Sequence, residues 1–212
     1  MIRKDIQKFL ANIPKNITIV AATKYVDVSE MVYLLDNGIN NFGENRVEDF
    51  LRKYEALKDH SIIWHFIGHL QRNKAHKLIN KIDYLHSLDS LKLAEEIDKR
   101  RETPLPCFVE VSVNHEESKN GVLYDETLDF IKSLQQFSKI KVVGLMMMGI
   151  QGSDVISLEQ QFGKLATLRS NIEQQLHISL PYLSMGMSED YQTALKKGAT
   201  HIRLGRILFD KM

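Results

Sequence analysis

Eight short apolar runs, each separated from the next by a polar or glycine-containing turn and a helix-length amphipathic segment, constrain this chain more than any other feature. The runs are Ile17–Ala22, Ile39–Phe42, Ile62–Ile67, Tyr84–Leu88, Cys107–Val113, Lys141–Met147, Pro181–Met185 and Thr200–Leu204. The helix candidates between them lie at about Val28–Asn37, Arg46–Lys58, Gln71–Asn80, Leu91–Arg101, Asp125–Phe137, Leu158–Leu176 and Glu189–Lys197. Strands that alternate regularly with helices pair in parallel through right-handed crossovers, and eight such units predict an α/β fold, a (β/α)₈ TIM barrel. An open doubly wound sheet is the alternative, but no glycine-rich dinucleotide fingerprint follows the first run.

The boundaries carry their own signals. Asp27 and Ser29 are N-cap types ahead of the first helix candidate, and Gly38 and Gly198 follow helix candidates where a left-handed residue is needed. Pro104 and Pro106 stop the helix ending near Arg101. At 212 residues the chain suits one domain, 1–212, with a core large enough to need no disulfide or metal. Met1–Leu10 spaces charged and apolar residues as an extra N-terminal helix does. The sequence ends soon after the eighth run, so the last helix is expected to be short or missing, with the N-terminal helix covering part of the gap.

Lys plus Arg at 28 against Asp plus Glu at 27 provides no general field for nucleic acid or anionic lipid, so any anion site must be local. No stretch has the length to span a bilayer. The lone cysteine, Cys107, opens an apolar run and reads as a buried structural thiol. A cytoplasmic monomer that binds neither nucleic acid nor membrane is the expectation.

In a barrel, reacting groups come from the C-terminal ends of the strands. Lys24 falls two residues beyond the first run, where apolar walls would strip part of its hydration and ease its deprotonation. The second run empties into Gly43-Glu44-Asn45-Arg46, with Gly43 expected to turn the backbone, Glu44 and Arg46 able to pair, and Asn45 able to donate and accept. His65 on the third run and His69 in the loop after it would stand one turn apart only on a helix, and strand geometry sends them elsewhere, which argues against a metal site. The basic stretch Gln71–Lys77 lacks aromatic interleaving and reads as a solvated helix face. Lys119 could reach over the barrel mouth as a second cation, and in Met146-Met147-Met148 a rim thioether could pack on an aromatic ring.

The last two runs make the strongest case. Loops after strands seven and eight commonly build phosphate sites in barrels, and here they are Ser184-Met185-Gly186-Met187-Ser188 and Leu204-Gly205-Arg206. Glycine permits close backbone approach, serine adds a hydroxyl, and a helix starting at Ser188 would aim N–H groups at an anion. Arg203 would point across the barrel mouth. An amine opposite a phosphate cradle is what pyridoxal 5'-phosphate asks of a protein.

Val20-Ala21-Ala22-Thr23-Lys24, Phe42–Val47, Trp64–Lys74, His86–Ser90, Glu117–Gly121, Gly144-Leu145-Met146 and Leu183–Ser188 together resemble the pyridoxal phosphate homeostasis family over nearly the whole chain. The resemblance implies a barrel similar to the N-terminal domain of alanine racemase, with the cofactor held as a Schiff base on Lys24. It further implies Ser184, Gly205 and the backbone of Arg206 at the phosphate, Arg203 at the pyridine nitrogen, and Asn45 and Met148 as further cofactor contacts. Members bind the cofactor without a dedicated catalytic reaction, and cofactor-accepting apoenzymes are the implied partners.

The chain departs from the family pattern at Tyr25-Val26-Asp27, where relatives often carry a second lysine and a proline, and at Arg206, where a small hydroxyl residue is common. An arginine beside the pyridine nitrogen is a permanent donor that favours the neutral ring and weakens the cofactor as an electron sink. That argues for a carrier with no catalytic residues over the alternative, a small racemase-like enzyme acting on amino acids.

Overall fold

A computed structural model describes residues 3–113 and 120–209. Helix α1 (Ile6–Ala11) precedes β1 (Thr18–Ala22), and the chain then alternates through α2 (Val28–Asp36), β2 (Asn41–Glu44), α3 (Val47–Ala56), β3 (Ile63–Phe66), α4 (Arg72–Ala75), β4 (Tyr84–Leu88), α5 (Leu91–Arg100) and β5 (Leu105–Ser112). A two-residue strand β6 (Val122–Leu123) leads to α6 (Thr127–Leu134), β7 (Ile140–Met146), α7 (Val155–Leu176), β8 (Tyr182–Ser184), α8 (Tyr191–Lys196) and β9 (His201–Leu204).

The strand order β4-β3-β2-β1-β9-β8-β7-β5 closes through a β4–β5 pairing, giving eight parallel strands, with β6 added outside on β5. This is the expected (β/α)₈ barrel; β6 leaves no signal in the sequence, because two residues are too few to show a period. The N-cap at Asp27 fixes the start of α2 through a capping box with Glu30. Gly38 and Gly198 adopt φ of 86° and 87°, as their helix-end positions require. Among the helices, α4 is a single turn, α7 begins at Val155 rather than near Leu158, and α8 begins at Tyr191 rather than near Ser188.

After β9 only a 3₁₀ turn, Arg206–Leu208, remains before Phe209. The N-terminal segment closes that side of the barrel. Arg3 donates its N–H to the Leu208 carbonyl at 3.1 Å, and Phe9 meets Tyr191 edge-on at 6.1 Å. Cys107 is fully enclosed and donates to the Leu105 carbonyl, and burial pushes its thiol upward, away from reactivity.

The barrel interior is more polar than the aliphatic layers usual in this architecture. His65, His86 and His201 share it with Phe108, Tyr84 and Tyr182, His86 stacking on Phe108 at 4.3 Å and His65 on Tyr84 at 4.8 Å. Because strand side chains alternate between faces, the residue two places beyond each of these points inward one layer nearer the C-terminal mouth. His201 is thus followed by Arg203, Phe108 by Glu110 and Tyr182 by Ser184.

Candidate functional site

At the C-terminal mouth a cavity of about 450 Å³ is lined by Ala22 at the end of β1 and Lys24 after it, Gly149–Ser153 after β7, Leu158 of α7, Met187–Asp190 after β8, and Arg203, Gly205 and Arg206 at the end of β9. The volume falls within the range of small-molecule pockets. A Cβ at Gly149 would come 2.8 Å from Asp190 Oδ2 and 2.9 Å from Leu158 Cδ2, so a larger residue there would have to push these side chains aside.

Backbone amides converge at one end. Gly205 N–H and Ile207 N–H both donate to the Ser188 hydroxyl, at 3.2 and 3.3 Å. Ser188 itself lies in the turn ahead of α8, held by Asp190, whose carboxylate accepts the Met187 N–H at 2.5 Å. Burial raises the Asp190 carboxyl, and the Met187 N–H works against that rise. Two amides already aimed at one oxygen form an anion cradle in which an anion oxygen can replace the hydroxyl as acceptor.

Arg203 forms the floor. It is 4% exposed, with Nη1 donating to the Ser184 carbonyl at 2.9 Å and the Ser184 hydroxyl at 2.8 Å, and Nη2 donating to the Met147 carbonyl at 2.9 Å. Burial lowers its guanidinium to about 10 while Glu110 and Asp190 oppose the fall. It is therefore a cation at any physiological pH, set within the top of the barrel rather than stretched across the mouth as the sequence suggested.

Four of the residues singled out in the sequence meet here: Lys24, Arg203, Gly205 and Arg206. Lys24 is exposed, with its ammonium 4.8 Å from the Tyr25 ring centroid, so the expected apolar walls are absent and its hydration is largely kept. Arg206 turns its guanidinium to Glu189 at 2.5 Å, both side chains being solvent-exposed, which leaves its backbone rather than its charge at the cradle.

The other three lie elsewhere. Ser184 is fully buried, its hydroxyl bound between Arg203 and His86 at 2.8 Å each, so it is not available to an anion; Ser188 is the serine at the cradle. Asn45 lines a separate cleft with Arg46, His69 and Lys74, and Met148 is 49% exposed outside the cavity. The expected Glu44–Arg46 pair is replaced by Glu44 with Lys53, at 2.6 Å. Gly43 does not turn the chain but sits within β2, where a Cβ would lie 2.9 Å from both Val20 Cγ1 and Ile67 Cδ1. Lys119 lies outside the described residues.

Several buried polar groups escape a reading of the sequence. Glu110, 5% exposed on β5, interrupts an apolar run at an inward position, and that interruption is the signal that could have found it. The His65–His86–Ser184 row and the Glu44–Lys53 pair join distant strands and helices, and no local pattern marks such a partnership.

The sequence from residue 2 to residue 211 matches the family described as alanine racemase, N-terminal domain. A pyridoxal phosphate homeostasis protein from Aquifex aeolicus is 38% identical over 194 residues, 90% of this chain and 85% of that protein. One from Synechocystis is 36% identical over 206 residues, 95% of this chain and 94% of the relative. The chain belongs to the alanine racemase N-terminal domain family, among its pyridoxal phosphate homeostasis proteins.

Solved structures agree. PipY of Synechococcus elongatus, solved without pyridoxal phosphate, superposes with a TM-score of 0.92 at 29% identity, covering 99% of this chain and 100% of PipY. The same protein solved with pyridoxal phosphate bound gives 0.88, covering 96% of this chain and 99% of PipY. An alanine racemase of Clostridium difficile shares the fold alone, with a TM-score of 0.80 at 15% identity over 98% of this chain and 57% of the racemase.

Proposed function

We propose that this homeostasis-family chain binds pyridoxal 5'-phosphate in the mouth cavity and holds it for delivery to apoenzymes, without a dedicated reaction of its own. One observation carries the reading: a single cavity brings the Lys24 amine together with amides converging at Ser188 and with the Arg203 guanidinium. The names of the relatives and the ligand-bound structure of PipY support it.

The residues present fit the group. When bound, it supplies an aldehyde that condenses with a primary amine with release of water, and among the described residues Lys24 is the lysine lining the cavity. Ser188 with the backbone N–H groups of Gly205 and Ile207 would hold the phosphate. Arg203 uses three of its five N–H donors on Ser184 and Met147, and a remaining donor would serve the ring nitrogen. A donor that cannot give up its proton would keep that ring neutral, which suits storage better than carbanion chemistry. The exposure of Lys24 favours exchange with solvent and with recipients.

After addition of pyridoxal phosphate and removal of the unbound cofactor the protein should remain yellow, and borohydride reduction with peptide mapping should find the label on Lys24. Lys24→Ala should abolish both while leaving the circular dichroism unchanged. A colourless chain, or a label on a different lysine, overturns the proposal.

A further inference from the structure

Directly behind Lys24 lies an ion pair sealed from solvent. Lys53 Nζ is 2.6 Å from Glu44 Oε1, the side chains being 1% and 0% exposed. The Lys53 ammonium also donates to the Thr23 carbonyl at 2.5 Å, the oxygen of the peptide group whose N–H belongs to Lys24. Thr23, itself fully buried, donates its hydroxyl to the same carboxylate oxygen at 2.5 Å, and its N–H to the Gly43 carbonyl at 3.1 Å. The Thr23 carbonyl accepts again from Val26 N–H at 3.0 Å, closing the turn that carries Lys24 and Tyr25 at its tip.

We infer that the buried Glu44–Lys53 pair is the positioning device for Lys24, clamping the backbone of its turn so that an otherwise exposed, flexible amine is held at the cavity. This rests on the reading of Lys24 as the capturing amine. Stability alone does not account for the pair. Taking two charges out of water costs several kcal/mol, and well-packed apolar substitutes are often as stable or more so. Glu44 Oε2 is buried with no hydrogen-bond partner, which adds to that cost. What the charges supply is directional: an ammonium from α3 and a carboxylate from β2 converge on one residue and hold it by its carbonyl and its hydroxyl. The grip is strong for its size, since charge-assisted hydrogen bonds are about twice as strong as neutral ones.

The test uses the double variant Glu44→Gln with Lys53→Met, which removes both charges together and leaves an amide oxygen at position 44 to accept from Thr23. Its thermal midpoint should stay near that of the wild type. The rate of pyridoxal phosphate capture, followed by absorbance and by label on Lys24 after borohydride reduction, should fall about tenfold, as displacement of a reacting group predicts. Binding of pyridoxine 5'-phosphate, which has the phosphate and ring but no aldehyde, should be unchanged. Thr23→Val removes one hydrogen bond without burying an unpaired charge and should slow capture in the same direction; it stands in if the double variant melts. A folded variant of either kind that labels Lys24 at the wild-type rate overturns this inference while leaving the cofactor reading intact. A wild type that takes no label on Lys24 overturns both. Slowed capture with an equal loss of pyridoxine phosphate binding overturns it too, because the damage then extends to the whole cavity.

Discussion

Arg203 donates through Nη1 to the Ser184 hydroxyl at 2.8 Å, and a one-way row of hydrogen bonds stands behind this contact. Its direction is set from the far end: Asn41 Oδ1 only accepts, so each neutral imidazole passes one N–H along, and the Ser184 hydroxyl gives its hydrogen to His86 Nδ1, 2.8 Å away. His86 then donates from Nε2 to His65 Nδ1 at 2.9 Å, and His65 from its own Nε2 to Asn41 Oδ1 at 2.9 Å. Both imidazoles are neutral in this arrangement. Burial agrees, pulling His65 down to about 3 and His86 well below its ordinary value. The row runs from the mouth of the barrel to the N-terminal end of β2.

Ser184→Ala should interrupt that row at its junction with Arg203. His86 Nδ1 would be left buried without a donor, and Arg203 would lose its side-chain acceptor. The expected cost is about 1–3 kcal/mol in urea unfolding, the scale for a buried polar group stripped of its partner. Retention of pyridoxal phosphate should weaken through the loosened Arg203, with the label still found on Lys24. An unchanged unfolding midpoint would show that the row contributes nothing to stability.

Ser188→Ala tests the cradle itself. Removing the hydroxyl deletes one phosphate contact, and the freed amides of Gly205 and Ile207 face a water-accessible cavity, so stability should change little. Affinity for pyridoxal phosphate should fall about tenfold, equivalent to one charge-assisted hydrogen bond of about 1.4 kcal/mol. Competition by inorganic phosphate should weaken in parallel. Equal affinities in wild type and variant would move the phosphate away from this turn.

The barrel was legible because period and spacing are local properties. Each of the eight runs became a strand within two residues of its expected limits, and Lys24, Arg203, Gly205 and Arg206 met at the mouth because strand ends in a closed barrel must. What stayed hidden depends on parity and on partners. Ser184 and Ser188 stand in one loop and differ only in that the first still belongs to β8 and points into the barrel, whereas the second has left it. The exposure of Lys24 was equally out of reach, since the walls around it depend on which neighbouring loops fold over the mouth. Glu44 offered Arg46 as a close neighbour in sequence, yet the helix brought Lys53 to it instead.

Glu110 should make stability depend on pH. Burial pushes its carboxyl up from the ordinary 4.5 to about 7, with Asp89 adding to the rise and Arg203 opposing it. The fold therefore prefers the protonated acid. That preference stabilises fully below pH 4.5 and is lost as the pH climbs to about 7, because over this window the unfolded chain has already released the proton that the folded chain keeps. The loss amounts to about 3 kcal/mol. Glu110→Gln keeps the neutral form, so the wild-type stability minus that of the variant should decline across the window and level off above it. Asp89 and Asp190 are raised by burial as well, and taking the difference removes the part of their titration that is independent of Glu110. A difference that stays flat from pH 4.5 to about 7 would show that Glu110 is ionised in the fold.

Gly186 is the residue on which the geometry of the Ser188 turn depends. It holds φ at +92°, and a Cβ there would come 2.6 Å from Ala194 Cβ and 2.9 Å from the Tyr191 Cα of α8. Its carbonyl accepts the Arg203 N–H at 2.9 Å, which ties the loop after β8 to β9 beside the cavity. Gly186→Ala therefore meets two penalties, a left-handed backbone of about 1–2 kcal/mol and an overpacking clash of about 1–3 kcal/mol. Gly38 provides the control, since its φ is +86° but a Cβ there would meet nothing within 4 Å. Gly38→Ala should show the backbone penalty alone and leave cofactor affinity untouched. Gly186→Ala should cost about 2–5 kcal/mol in all, the sum of the two penalties, and should also weaken phosphate competition, because α8 can relieve the clash only by moving the turn that presents Ser188. If the two variants lose equal stability, the close approach of the loop to α8 does not constrain the site, and the cradle must be held from β9 instead.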